Sequence, residues 1–122
     1  MEEKAIGISE RLEALGADTI MLCRGMCRNH VDRHIALQLV RCATSAGANY
    51  EEGRVAESKR DFIHKLHISL KECKETVFWL RIVKRAGILS EERVCGILES
   101  AETLSRILAK SIITAKKSLK EN

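Results

Sequence analysis

The chain has 122 residues, of which 45% are apolar, so it can bury the core of one domain that spans residues 1–122. Aromatic residues make up only 3% and proline is absent, a composition that favours helices over strands and predicts an all-α fold. The net charge is +4, no apolar run approaches the roughly 18 residues of a membrane span, and the first ten residues lack the pattern of a secretory signal, so we expect a cytoplasmic protein without a membrane partner.

Apolar residues recur at alternating spacings of three and four, which indicates amphipathic helices. The first helix is predicted over residues 9–27 and the second over residues 30–53, with Gly53 closing the second through a positive φ. The third, over residues 58–86, begins at the capping pair Ser58 and Asp61 and ends at Gly87 in a Schellman motif. The fourth covers residues 90–120 and begins at Ser90. Short connections between these helices predict an antiparallel up-down-up-down four-helix bundle.

The five cysteines are an odd number, and most of them fall on apolar helix positions, which predicts reduced core residues. A zinc site is a second interpretation, because Cys23 and Cys27 precede His30 and His34 and a tight hairpin could bring the four side chains together. Spacing alone leaves open whether they converge. We favour cysteines packed inward and histidines at the surface, and we predict neither a metal nor a cofactor.

The second helix carries a line of polar side chains beside small residues that would let another helix approach closely. This polar line consists of Gln38, Arg41, Ser45, Asn49 and Glu52. Polar groups brought into a helix contact must find partners. We therefore interpret the polar line as structural, with Arg41 paired to a carboxylate and Asn49 bonded to a backbone group.

Candidate catalytic groups are not arranged as an enzyme needs them. Glu51 and Glu52 are adjacent on a helix, so their side chains point about 100° apart and cannot act on one substrate. Neither a Walker motif nor GxGxxG occurs, and no nucleophile, base and oxyanion donor are suggested by position. We predict that the protein is not an enzyme.

The segment QLVRCATSAGANYEEGRVAESKRDFIHKLHISLKECKE and its continuation TVFWLRIVKRAGIL resemble the four-helix-bundle family of 23S rRNA intervening-sequence proteins. The similarity covers most of the chain and is strongest over residues 38–89. Its most recognisable positions are Asn49, Glu52, Gly53, Ser58 and Phe62. One departure lies in the first turn, where family members often carry a Phe-Pro-like pair and this chain has Cys27 and Arg28.

The resemblance implies a four-helix protomer that assembles into a homopentamer, with no catalytic residues. A related group of bundles serves as accessory proteins to the reverse transcriptases of diversity-generating retroelements, where a basic pentamer handles nucleic acid. The resemblance therefore suggests three kinds of partner. These are further copies of this chain, RNA or DNA, and a different protein.

The third helix carries a basic stripe, defined as the lysine, arginine and histidine side chains that recur at spacings of three and four along one face, with Phe78 as the one apolar interruption. The stripe consists of Arg60, His64, His67, Lys71, Lys74, Arg81 and Arg85. Such a row is often a solvated flank whose alkyl stems cover a bundle edge. The functional interpretation is a surface that contacts phosphates, with help from the Lys-rich end between Arg106 and Lys120.

A different side of the third helix carries the apolar residues Ile68, Trp79 and Ile82. Helical geometry places them away from the core positions, so a single chain would leave Trp79 facing water. Tryptophan is enriched in protein interfaces, and we therefore predict that these three residues form a subunit contact.

Two hypotheses follow from these patterns. The first is a non-enzymatic, homo-oligomeric bundle that binds RNA or DNA backbones through the basic stripe. The second is a protein-binding scaffold, such as an accessory subunit to a retroelement reverse transcriptase. The sequence leaves open the identity of any partner, the biological role, and whether an oligomer exposes the basic stripe.

Overall fold

The computed structural model describes the backbone of residues 2–121 and the side chains of residues 7–121. Its four helices are α1 (Glu2–Cys23), α2 (His30–Arg54), α3 (Lys59–Arg85) and α4 (Glu91–Glu121). No strand occurs within residues 2–121, which confirms the predicted all-α fold.

The helices form a closed four-membered arrangement in which each helix packs closely on two neighbours. The backbones of α1 and α2, α2 and α3, α3 and α4, and α1 and α4 approach one another, whereas diagonal helices have no Cα atoms within 8 Å of each other in the described part of the chain. The Arg54 guanidinium donates to Ser9 Oγ at 2.9 Å, while Cys23 Sγ donates to the Ala36 carbonyl at 3.6 Å. Because these contacts join the end of each helix to the start of the other, α1 and α2 run antiparallel.

The other two hairpins are antiparallel for the same reason. Lys65 near the start of α3 bonds Glu52 near the end of α2 at 2.6 Å. Between α3 and α4, Lys59 Nζ donates to Ser118 Oγ at 2.9 Å, and Arg81 Nη2 donates to Glu102 Oε2 at 2.8 Å. The topology is therefore up-down-up-down, and all four helices contribute apolar side chains to one buried cluster.

Helix α1 differs from its predicted range of residues 9–27 at both ends. The helical backbone begins at Glu2. At the other end the helix stops at Cys23, and a turn in which the Met26 N–H donates to the Cys23 carbonyl at 2.9 Å returns Met26 to the core, where it is 1% exposed.

The prediction that Gly53 closes α2 with a positive φ is wrong. Among the described residues the only positive φ belongs to Gly87, at 67°. Gly53 is a buried residue inside α2, and a Cβ atom there would lie 3.0 Å from Lys65 Cβ and 3.3 Å from Phe62 Cδ1. Glycine at position 53 therefore permits the close approach of α3, and α2 ends one residue later with Val55 as its C-cap.

Both ends of α3 follow the local signals in the sequence. Ser58 Oγ accepts a hydrogen bond from the Asp61 N–H at 3.1 Å, as an N-cap does. At the other end the Gly87 N–H donates to the Lys84 carbonyl at 3.2 Å and the Ile88 N–H donates to the Val83 carbonyl at 3.1 Å. These two bonds, with the positive φ of Gly87, constitute a Schellman motif.

Two threonines are fully buried in the core and differ in their hydrogen bonding. Thr76 Oγ1 donates to the Glu72 carbonyl at 2.8 Å, whereas Thr19 Oγ1 has no partner among the described residues. A buried hydroxyl without a partner costs free energy, and valine has nearly the same shape. We expect Thr19→Val to raise the free energy of unfolding by about 1 kcal/mol.

The matched variant Thr76→Val should lower the free energy of unfolding by about 1 kcal/mol, because it removes a hydrogen bond that is made. Urea unfolding followed by circular dichroism measures both free energies. An unchanged dependence of the free energy of unfolding on urea concentration would show that the substitutions change only stability. If both substitutions changed the free energy of unfolding equally and in the same direction, the difference in hydrogen bonding between Thr19 and Thr76 would be contradicted.

Candidate nucleic-acid interface

All seven residues of the basic stripe are exposed on α3 in the single chain. They extend from position 60 to position 85, a length of roughly 37 Å at the rise of an α-helix. The stripe residues are Arg60, His64, His67, Lys71, Lys74, Arg81 and Arg85. The predicted row is thus a solvent-accessible feature of the folded chain.

Few of these cations are neutralised by nearby carboxylates. Within the described residues, Arg81 alone of the seven forms an ion pair, with Glu102 at 2.8 Å. Lys71 lies close enough to Glu75 to contribute to lowering the pKa of that carboxyl. The stripe therefore retains most of its positive charge for an anionic ligand.

Helix α4 adds further cations beside the basic stripe. A shallow groove between α3 and α4 is lined by Lys74, Val77, Arg81, Glu102, Ser105 and Arg106. The contact between Lys59 and Ser118 places the Lys-rich end of α4 beside the first turn of α3. We call the basic stripe together with the exposed cations in the C-terminal half of α4 the basic surface; these α4 members are Arg106, Lys110, Lys116, Lys117 and Lys120.

Phe78 interrupts the basic stripe and is exposed to 54%. Its ring meets the ring of Trp79 edge to face, with the centroids 5.2 Å apart and the planes at 74°. An exposed aromatic ring thus lies among basic side chains.

The expectation that a single chain leaves Trp79 facing water is wrong. Trp79 is half-buried and packs against the hydrophobic core, and its ring also meets His34 of α2 at a centroid distance of 6.2 Å. The indole N–H donates to Glu75 Oε2 at 3.2 Å. Helix α2 provides the cover that periodicity within α3 could not reveal. Ile68 and Ile82 are also half-buried, and a subunit contact through these three apolar residues stays a prediction.

Two members of the polar line of α2, Arg41 and Glu52, contact α3, and Arg41 makes the larger number of bonds. Its Nη1 donates to Glu72 Oε2 at 3.1 Å, and its Nη2 donates to Glu75 Oε2. The hydrogen bond to Glu75 raises the pKa of Arg41, and the same bond lowers the pKa of Glu75. Arg41 therefore connects two carboxylates of the neighbouring helix.

Three of the remaining members of the polar line, Ser45, Asn49 and Glu52, also make local or interhelical hydrogen bonds. Asn49 Nδ2 donates to the Ser45 carbonyl at 2.9 Å and to Ser45 Oγ at 3.0 Å. Glu52 accepts from Lys65 of α3 at 2.6 Å, and Gln38 is half-buried. The contacts of Arg41 and Glu52 hold α2 to α3, and none of the bonds in the polar line brings reactive groups together.

The cysteines and histidines of the first hairpin do not gather into a metal site. The Cys23 thiol donates to a backbone carbonyl of α2, Cys27 is exposed, and His34 lies against Trp79. Across the described residues no group of three or more His, Cys, Asp or Glu side chains is placed to hold a metal ion.

All five cysteines are free thiols, but only some of them occupy core positions. Cys42 and Cys73 are buried, Cys23 is half-buried, and Cys27 and Cys95 are exposed, so the prediction of core cysteines is wrong for the last two. Desolvation raises the pKa of Cys73 to about 12 and that of Cys23 to about 11. These two thiols are therefore weak nucleophiles at neutral pH.

The contacts define an antiparallel four-helix bundle whose outer face on α3 and α4 is basic, and no helix within the described residues is long and apolar enough to cross a membrane. Residues 8–110 match the family of 23S rRNA-intervening sequence proteins, and the chain belongs to that family. No curated protein matches the chain.

A solved structure from the S23 ribosomal protein family has the same fold. This protein of unknown function from Bacteroides thetaiotaomicron superimposes with a TM-score of 0.80 and 28% sequence identity, over 86% of the present chain and 97% of its own. The similarity spans almost the whole of that relative and most of the present chain.

Proposed function

We propose that this protein is a non-enzymatic homo-oligomer that binds RNA backbones through the basic surface. The observation that carries the proposal is the exposed, largely unneutralised row of cations on α3, beside a second set on α4. Lysine and arginine neutralise phosphates and release condensed counterions, so the affinity should depend strongly on salt and weakly on sequence.

RNA is the first ligand to test because the family takes its name from a ribosomal RNA, and DNA is the comparison. RNA and DNA both offer a phosphate backbone to the same cations. A preference for RNA over DNA would need contacts to the 2′-hydroxyl. An RNA ligand also agrees with a cytoplasmic location, which is part of the proposal.

The oligomer we propose is a homopentamer, as the family resemblance implies. The half-buried residues Ile68, Trp79 and Ile82 of α3 are not members of the basic stripe. Assembly through them would complete the burial of apolar area and leave the cations accessible. Repetition of the basic surface around a ring would add avidity for a long ligand without any new contact.

A protein-binding scaffold is the second candidate, and exposed apolar side chains on α2 favour it. Leu37 is 69% exposed and Val31 is 64% exposed, and both lie outside the basic surface. These side chains suit a partner protein, such as the polymerase of a retroelement, better than they suit phosphate.

Light scattering coupled to gel filtration tests the proposal, with a structured RNA hairpin added at about 50 mM and about 200 mM salt. We expect a mass of five chains that shifts to a complex with the hairpin at the lower salt and returns to the free mass at the higher salt. A pentamer that ignores RNA at both concentrations would favour the scaffold, and a monomer would contradict the oligomer.

A further inference from the structure

We propose that Phe78 is a stacking platform for an unpaired base, so that the basic surface prefers single-stranded RNA to duplex RNA. This inference rests on the proposed function and adds the class of RNA. Phe78 is 54% exposed in the middle of the basic stripe, where every other member carries a cationic or titratable polar group. An aromatic ring presented among cations is the arrangement that single-strand-binding proteins use.

The ring of Phe78 is held in position from within the protein. It meets Trp79 edge to face at 5.2 Å, and Trp79 is in turn fixed by its bond to Glu75 and by its contact with the core. A ring that is already oriented loses little conformational freedom when a base stacks on it. The 54% exposure leaves ring surface open to solvent for that contact.

Cations stand one helical turn away from Phe78 in both directions. Lys74 precedes it by four residues and Arg81 follows it by three, which are the spacings at which helix side chains are neighbours. Both cations also line the groove between α3 and α4, with Arg106 on the opposite side. A strand whose base stacks on Phe78 can therefore place the phosphates on either side of that nucleotide near positive charge.

Stacking on Phe78 distinguishes unpaired from paired RNA for a steric reason. Inside a duplex both faces of a base are covered by its neighbours, so an aromatic side chain outside the duplex has no base face on which to stack. In a single strand, a loop or a bulge, the bases can turn out and stack on an aromatic ring. A duplex offers Phe78 no free base face, so duplex binding should depend on the cations and not on the ring.

The test compares Phe78→Leu and Phe78→Tyr on two probes, a 12-nucleotide oligouridine and a blunt 12-base-pair RNA duplex, by fluorescence anisotropy at one salt concentration. We expect Phe78→Leu to weaken oligouridine binding about 5- to 150-fold, the range for losing one base stack, and to change duplex binding by less than about twofold. Phe78→Tyr should retain binding, because tyrosine also offers a ring face. Met21→Ala, at a side chain 61% exposed on α1, is the matched control and should change neither affinity.

Trp79 supplies an independent signal, because it is the only tryptophan in the chain and its ring contacts Phe78. Oligouridine should quench its fluorescence in the wild-type protein, and the quenching should be lost in Phe78→Leu at saturating oligouridine. Equal losses on both probes, or no loss on either, would overturn the stacking platform while leaving backbone binding intact. A change in assembly mass caused by Phe78→Leu would instead assign Phe78 to a subunit contact. If the wild-type protein binds neither probe, the proposed function fails as well.

Discussion

Replacing Lys71, Lys74, Arg81 and Arg85 with glutamine is expected to remove most of the salt-sensitive affinity for RNA. Four lost phosphate contacts should reduce the slope of log affinity against log salt by about three. The contribution of counterion release to the affinity vanishes near 1 M salt. A slope that is smaller by three therefore corresponds to roughly a thousandfold loss of RNA affinity at 0.1 M salt. Titration of the wild type and the variant at several salt concentrations measures both quantities.

The matched control for this variant removes four exposed cations elsewhere on the bundle. Replacing Arg11, Arg24, Arg28 and Arg93 with glutamine changes the net charge by the same amount, but none of these residues belongs to the basic surface. The control should keep most of the affinity. A similar loss in both variants would mean that total charge, and not the basic surface, determines binding. Circular dichroism confirms that both variants are folded before the titrations.

Arg41→Met is expected to lower the free energy of unfolding by about 1–3 kcal/mol at neutral pH, because it leaves a buried acceptor without its charged donor. The affected acceptor is Glu72, whose side chain is only 9% exposed. Lys65→Met is the matched control, since it breaks an ion pair with Glu52 that is more exposed, and its cost should stay below about 1 kcal/mol. Urea unfolding at pH 7 measures both.

The Arg41 contact also predicts how stability depends on pH. Its hydrogen bond is the main cause of the lowered pKa of Glu75, so the stabilisation from Glu75 is fully present above its ordinary pKa of 4.5 and is lost as the pH falls through the lowered value. The difference in stability between wild type and Arg41→Met should therefore shrink below about pH 4.5. A difference that stays constant between pH 7 and pH 3 would show that Arg41 acts through packing alone.

The parts of the fold that depend on local chemistry could be predicted from the sequence. The capping serine at position 58 and the glycine at position 87 act through bonds to residues within a few positions, so their signals are complete in a short window. The four helices follow from apolar spacing for the same reason. The end of α1 could not be placed in this way, because the apolar spacing continues through Met26 although the helix has already ended at Cys23.

The features that were missed or misjudged depend on contacts between helices. The conformational freedom of glycine predicts a helix end at Gly53. The role of Gly53 depends instead on the proximity of Phe62 and Lys65 on α3. Trp79 looked exposed because periodicity within α3 says nothing about His34 on α2. The basic stripe could be predicted residue by residue, whereas the position of α4 beside it required the topology of the bundle.

Helix α3 carries both core side chains and the basic stripe, and this arrangement limits which changes of chain length the protein can tolerate. Insertion or deletion of one residue between His67 and Lys71 would rotate all later side chains by about 100° relative to the earlier ones. Buried positions such as Leu80 would turn away from the core and exposed cations would turn toward it. Length changes within α3 should therefore be poorly tolerated, and the spacing of the cations is fixed by the same periodicity that folds the bundle.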